Sequence, residues 1–239
     1  MDTKEIQTQL SYLRTRFAEL LKLCQAEFGT PGVSDEVRNV TQDMLTRLNK
    51  LLDILMYEYF ENKIFPNLTL KEKEKIENKI QFPIVSKKED FKSMLGKIGL
   101  TEEFRESRLL SLLEQYQSYQ PGQEWLKYLR DYANLCHRKL IPQKKRKETS
   151  LTIGDVVKIS DSATVTMNNC VVNGIPIDEL IVDKGTVQGQ IDPRLNPRVE
   201  TQVIYSFEGT DINVLWLCQK SLEEIGNLVR RFEELTEHT

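Results

Sequence analysis

Histidine, cysteine and long apolar runs are all in short supply in this chain. Only two histidines occur in 239 residues, His137 and His238, and His238 stands next to the last residue, where chains fray. The four cysteines, Cys24, Cys136, Cys170 and Cys218, are far apart and form no C-x-x-C pair. That spacing excludes a thiolate zinc site and the dense disulfide framework of small secreted domains. The longest apolar stretches, residues 51–56 and 212–218, are far shorter than the ~20 residues that cross a bilayer. No basic, apolar leader opens the sequence, so a reducing cytoplasm is the expected location and no membrane partner is expected. Net charge is -3, with 33 Lys and Arg against 36 Asp and Glu, so any nucleic-acid site has to be a local patch. There is no P-loop, no G-x-G-x-x-G, no H-E-x-x-H and no G-x-S-x-G. Neither a metal nor a cofactor is expected.

Helical periodicity dominates the first 140 residues. Ile6, Leu10, Leu13, Phe17, Leu20, Leu21, Cys24 and Phe28 recur every three or four residues, and Gly29-Thr30-Pro31-Gly32 ends that stripe. Val37 to Tyr59 repeats it after Ser34 and Asp35, which predicts an antiparallel helical hairpin. Thr69 and Glu72 form a capping-box pair that opens a short solvated helix, read as ending before Pro83. A further short helix is expected around Phe91 to Ile98, and a longer one from Thr101 through Tyr116. Another is expected from about Gln123 to Leu140, with Trp125, Leu126, Leu129, Ala133 and Cys136 on its apolar side.

From Thr149 the period changes to two, with β-rich runs at 153–159, 163–166, 180–182 and 199–207 separated by Gly and Pro. A last amphipathic helix spans Ile212 to Leu235 and needs a surface to pack on. The expected architecture is mainly α, a helical bundle from 1–140 plus 210–239, with 150–208 as a small antiparallel β insertion before the C-terminal helix.

The segment with chemical potential surrounds His137. Arg130 and His137 are seven residues apart, two helical turns, so a guanidinium and an imidazole project from one face, with Asp131 and Asn134 beside them. Arg138 and Lys139, then Lys144, Lys145, Arg146 and Lys147, place six cations within ten residues. That run suits either the phosphates of a nucleic acid or a solvated linker. Tyr116, Tyr119, Tyr128 and Tyr132 would stack on bases if exposed, and otherwise pack.

The pattern Arg130-Asp131, five residues, His137 resembles the motif of the HEPN superfamily of helical proteins, as does the order of hairpin, motif helix, variable insertion and closing helix. The β segment is not part of that family's common core. The resemblance implies a two-fold homodimer with facing motifs and metal-independent endoribonuclease activity, in a toxin or defence effector. His137 would move the proton, Arg130 would stabilise the phosphorane, and Asp131 and Asn134 would orient them. Arg138, Lys139, Lys144, Lys145, Arg146 and Lys147 would hold the RNA. Two alternatives stand beside this one. The first is a non-catalytic HEPN-like dimer whose β insertion recognises a partner. The second is a helical adaptor unrelated to that family.

Overall fold

A computed structural model describes residues 3–100, 107–136, 138, 141, 143–153, 157–160, 163–183 and 186–237. Helices α1 (Lys4–Ala26) and α2 (Asp35–Tyr59) form the hairpin, and the Oγ of Ser34 caps α2 by accepting the Val37 N–H at 3.2 Å. The apolar stripes decide which faces turn inward. Ile6, Leu10, Leu13 and Leu20 of α1 and Met44, Leu45, Leu48, Leu52 and Leu55 of α2 are fully buried. Helix α2 runs on through a π turn (Phe60–Ile64) and a 3-10 turn (Phe65–Asn67), where Pro66 lacks the amide a regular helix would need.

Helix α3 (Leu70–Glu77) opens with the Thr69 N–H donating to the Glu72 carboxylate at 2.8 Å, and it buries no residue. It stops well short of the predicted limit near Pro83, because the apolar residues beyond it, Ile80, Phe82 and Ile84, alternate instead of following a helical stripe and Pro83 disfavours helix at the residue before it. Helix α4 (Lys88–Lys97) buries Phe91 and Leu95. Gly99 follows it at φ +89°, a left-handed conformation that glycine adopts without strain.

Helices α5 (Ser107–Gln115), α6 (Glu124–Cys136) and α7 (Val214–Glu237) complete the helical part. The expected start of α5 at Thr101 lies outside the described residues. Helix α6 was expected to reach Leu140, but its described turns end at Cys136. There the Gln42 side chain donates to the Cys136 carbonyl at 2.8 Å, and the Arg138 N–H closes a turn on Leu135 at 2.9 Å. Helix α7 packs on α1, α2, α5 and α6, with Leu217, Cys218, Ile225, Leu228, Val229 and Phe232 turned inward. Tyr132 of α6 stacks on Phe207 at 3.8 Å between ring centres.

The chain divides into two compact units, residues 1–143 with 206–239, and residues 144–205. The second unit belongs to β1 (Gln143–Ile153), β2 (Val157–Ser160), β3 (Thr164–Val172), β4 (Ile175–Asp183), β5 (Thr186–Gln188) and β6 (Arg198–Phe207). Two three-stranded sheets result, ordered β2-β1-β6 and β3-β4-β5. Val172 pairs with Ile175 around Asn173-Gly174, both at positive φ, the two-residue hairpin that Asn-Gly favours. Leu151, Ile153, Ile159, Ile177, Leu180, Val182 and Leu195 form its core. Strand β1 begins six residues before the predicted change of period at Thr149. Lys144 to Lys147 therefore belong to a strand and not to a linker. Four consecutive cations show no apolar–polar alternation, which conceals the period of two.

Candidate functional site

Helix α6 is amphipathic, and burial of Trp125, Leu126, Leu129, Ala133 and Cys136 fixes its rotation. That rotation leaves Lys127, Asp131 and Asn134 exposed and sets Arg130 at the boundary. The Arg130 guanidinium turns back toward the bundle. One terminal nitrogen donates to Asp53 Oδ1 at 2.9 Å and to the Phe82 carbonyl at 3.2 Å, and the other reaches Gln81 Oε1 at 3.4 Å. Asp53 in turn accepts the Phe82 N–H at 2.9 Å. Asp53, Arg130 and the main chain of Phe82 thus close a ring that ties α2, α6 and the 81–85 segment together. Gln117 extends the tie: its amide donates to the Pro83 carbonyl at 2.9 Å, and its oxygen accepts the Val85 N–H at 2.9 Å.

Of the sequence-predicted residues on α6, Arg130 turns toward the bundle while Asp131 and Asn134 face outward. Asp131 pairs with Lys127 one turn away and not with Arg130. Asn134 is exposed. His137 and Lys139 lie outside the described residues, and Arg138 is exposed at the end of α6. Lys144 and Arg146 are exposed on β1 with Lys145 half-buried between them, and all three make interactions within the chain. Tyr116 is buried, and the Tyr119 hydroxyl donates to Glu114 at 3.3 Å, so both serve packing. Tyr132 is taken up by Phe207 and by Thr210, 3.4 Å from its hydroxyl.

Asp53, Gln81 and Phe82 were missed from the sequence, although Asp53 carried a signal. It is the one carboxylate inside the apolar run Leu51-Leu52-Asp53-Ile54-Leu55-Met56. A charge at such a place calls for a partner of opposite sign.

The thiols behave as packing groups. Burial pushes Cys136 up to about 11, partly offset by a hydrogen bond with Thr46. Cys218 is pushed up to about 12, first by burial and then by its neighbours Cys24 and Cys136. Three cysteines remote in sequence therefore converge from α1, α6 and α7 as protonated thiols, a state with little nucleophilic character. No group of three or more potential metal ligands occurs among the described residues. No described helix is long and apolar enough to cross a membrane. Comparison of the chain with protein-family models, curated proteins and solved structures finds no match.

Proposed function

We propose that this chain is a non-catalytic interaction protein with a HEPN-like helical bundle, which forms a two-fold homodimer through α6 and recognises a partner through its β unit. The commitment of Arg130 carries this reading. A guanidinium that stabilises a phosphorane must point its donors at the substrate, whereas Arg130 spends its terminal donors on Asp53, Phe82 and Gln81. The order of hairpin, motif helix, β segment and closing helix supports the family resemblance, as does the packing of α7 on α1, α2 and α6. Lys127, Asp131 and Asn134 recur at i, i+4 and i+7 on the open side of α6, a self-complementary mix of charges and amide suited to a symmetric contact. The buried thiols of Cys24, Cys136 and Cys218, none of them in a disulfide, suit a reducing cytoplasm.

An RNA-cleavage assay in EDTA with wild type, His137→Ala and Arg130→Ala tests the reading. The expected result is no cleavage above blank for any of the three, with a dimeric mass for the wild type at tens of micromolar. Metal-independent cleavage that disappears in a folded His137→Ala variant would overturn it and establish the ribonuclease, with Lys144 and Arg146 as the first RNA contacts to replace. A monomer at that concentration would remove the dimer.

A further inference from the structure

A groove of about 320 Å³ lies between α1 and α7, lined by Gln7, Arg14, Glu223, Gly226, Asn227 and Arg230. With two guanidiniums against one carboxylate, its charge is net positive. Two guanidiniums enter it, and among the described residues neither forms an ion pair. The one carboxylate at the rim, Glu223, is occupied along its own helix, where Oε1 accepts the Gln219 amide at 2.9 Å. Asn227 Oδ1 accepts from Arg230 Nη2 at 2.5 Å, which fixes the Arg230 fork and leaves the Asn227 amide hydrogens for a ligand.

Gly226 supplies the second observation. It stands in the interior of α7, where glycine is less favourable than alanine. It is not among the glycines at positive φ, so the backbone does not require it. A Cβ there would lie at ordinary van der Waals distance, 3.5 Å, from Arg14 Nη2, so the Arg14 guanidinium rests against this turn of α7. Arg14 of α1 thus shares the groove with Arg230 of α7. Two like charges facing one cavity repel one another, and a shared anion relieves that repulsion.

We propose that the groove binds a phosphate monoester, with Arg14 and Arg230 clasping the phosphoryl oxygens and the amides of Gln7 and Asn227 completing the contacts. Planar guanidinium forks match phosphate oxygens two at a time, and the volume exceeds that of a bare phosphate, falling at the low end for small-molecule sites. Both helices belong to the same compact unit, so the clasp is preorganised.

Calorimetric titration of the full chain with AMP, adenosine, inorganic phosphate and phosphatidic-acid vesicles tests this. AMP is expected to bind and adenosine not. Arg14→Gln and Arg230→Gln are each expected to weaken AMP by roughly tenfold or more, the loss typical of one charge-assisted bidentate contact. Gly226→Leu keeps both charges and is expected to block the site by filling it. Lys79→Gln, on the remote 78–81 segment, is the control for diffuse charge. Vesicle binding that depends on Arg14, with AMP inert, would identify a lipid headgroup as the source of the phosphoryl group. Equal affinity for AMP and adenosine overturns the proposal. So does an equal loss in Lys79→Gln, an unchanged affinity in Gly226→Leu, or no binding of any probe. Circular dichroism of each variant separates a lost site from a lost fold.

Discussion

Replacing Arg130 by alanine tests whether this residue is a strut or a reagent. The side chains of Arg130 and Asp53 are 17% and 31% exposed, so their contact at 2.9 Å lies between an open surface pair and a buried one. Exposed pairs contribute about 0.2–1 kcal/mol and broken buried pairs cost about 3–5 kcal/mol, which places Arg130→Ala near 2 kcal/mol. Asp53→Ala is expected to cost more, about 3 kcal/mol, since it also leaves the Phe82 N–H without its acceptor. The double mutant should show a coupling of about 1–2 kcal/mol, because the two side chains meet directly. Arg130→Lys keeps the charge but loses the fork that reaches Asp53, Phe82 and Gln81 together, and should fall between wild type and alanine. Urea unfolding followed at 222 nm reads the helical unit and measures all four values. A stability for Arg130→Ala within about 0.5 kcal/mol of wild type, or a coupling near zero, would refute the strut and leave a guanidinium free for chemistry.

Gly226→Ala should raise the stability of the helical unit by about 0.5–1 kcal/mol in the same urea assay, since the added methyl meets Arg14 only at van der Waals distance. Gly99→Ala should lower it by about 1–3 kcal/mol, because φ is +89° and the new Cβ would lie 2.9 Å from the Ile76 Cβ. Of the four cysteines only Cys170 is not buried, so a thiol reagent should label one site rapidly in the native protein and all four in denaturant. Burial, then the hydrogen bond to Glu77, pushes the Tyr57 phenol up to about 12; burial, then Glu114, pushes Tyr119 up to about 12. Both exceed the ordinary value near 10, so the unfolded chain ionises first. The stability tied to these groups should be complete below pH 10 and decline as pH rises toward 12. Absorbance at 295 nm in which all eight tyrosines ionise together near pH 10 would count against it.

The helical hairpin and the closing helix were legible because apolar stripes with a period near 3.6 have one economical solution, burial against one another. Ile6, Leu10 and Leu13, and later Ile225, Val229 and Phe232, announce their faces without any knowledge of the partner. The ends were less legible. Apolar spacing carried α6 forward to Leu140, whereas its described turns stop at Cys136, whose carbonyl is taken by Gln42, a residue 94 positions earlier in the chain. Strand β1 escaped notice over Lys144 to Lys147 because four consecutive cations show no alternation of apolar and polar residues.

The candidate site was legible as a list of residue types and not as an arrangement, and Arg130 shows why. Spacing along a helix fixes the direction in which a Cα–Cβ bond leaves the axis, but an arginine carries two more methylene groups before its guanidinium and can swing several ångströms to either side. Which way it swings depends on the charges across the helix–helix contact, and the deciding residue here is Asp53, 77 positions away. Asp53 would be isolated in the apolar face of α2 without a cation, and Arg130 is the cation that α6 brings to it. The carboxylate thus accounts for the arginine without reference to any substrate, just as Arg130 accounts for a carboxylate in an apolar run. The same test gives the opposite answer for Arg14 and Arg230. They enter their groove without an ion pair, the Glu223 carboxylate beside them accepting from Gln219, and the glycine between them confers no backbone advantage on its helix. An ion pair explains the first arginine; the other two are exposed and solvated, and so open to an anion that enters the groove.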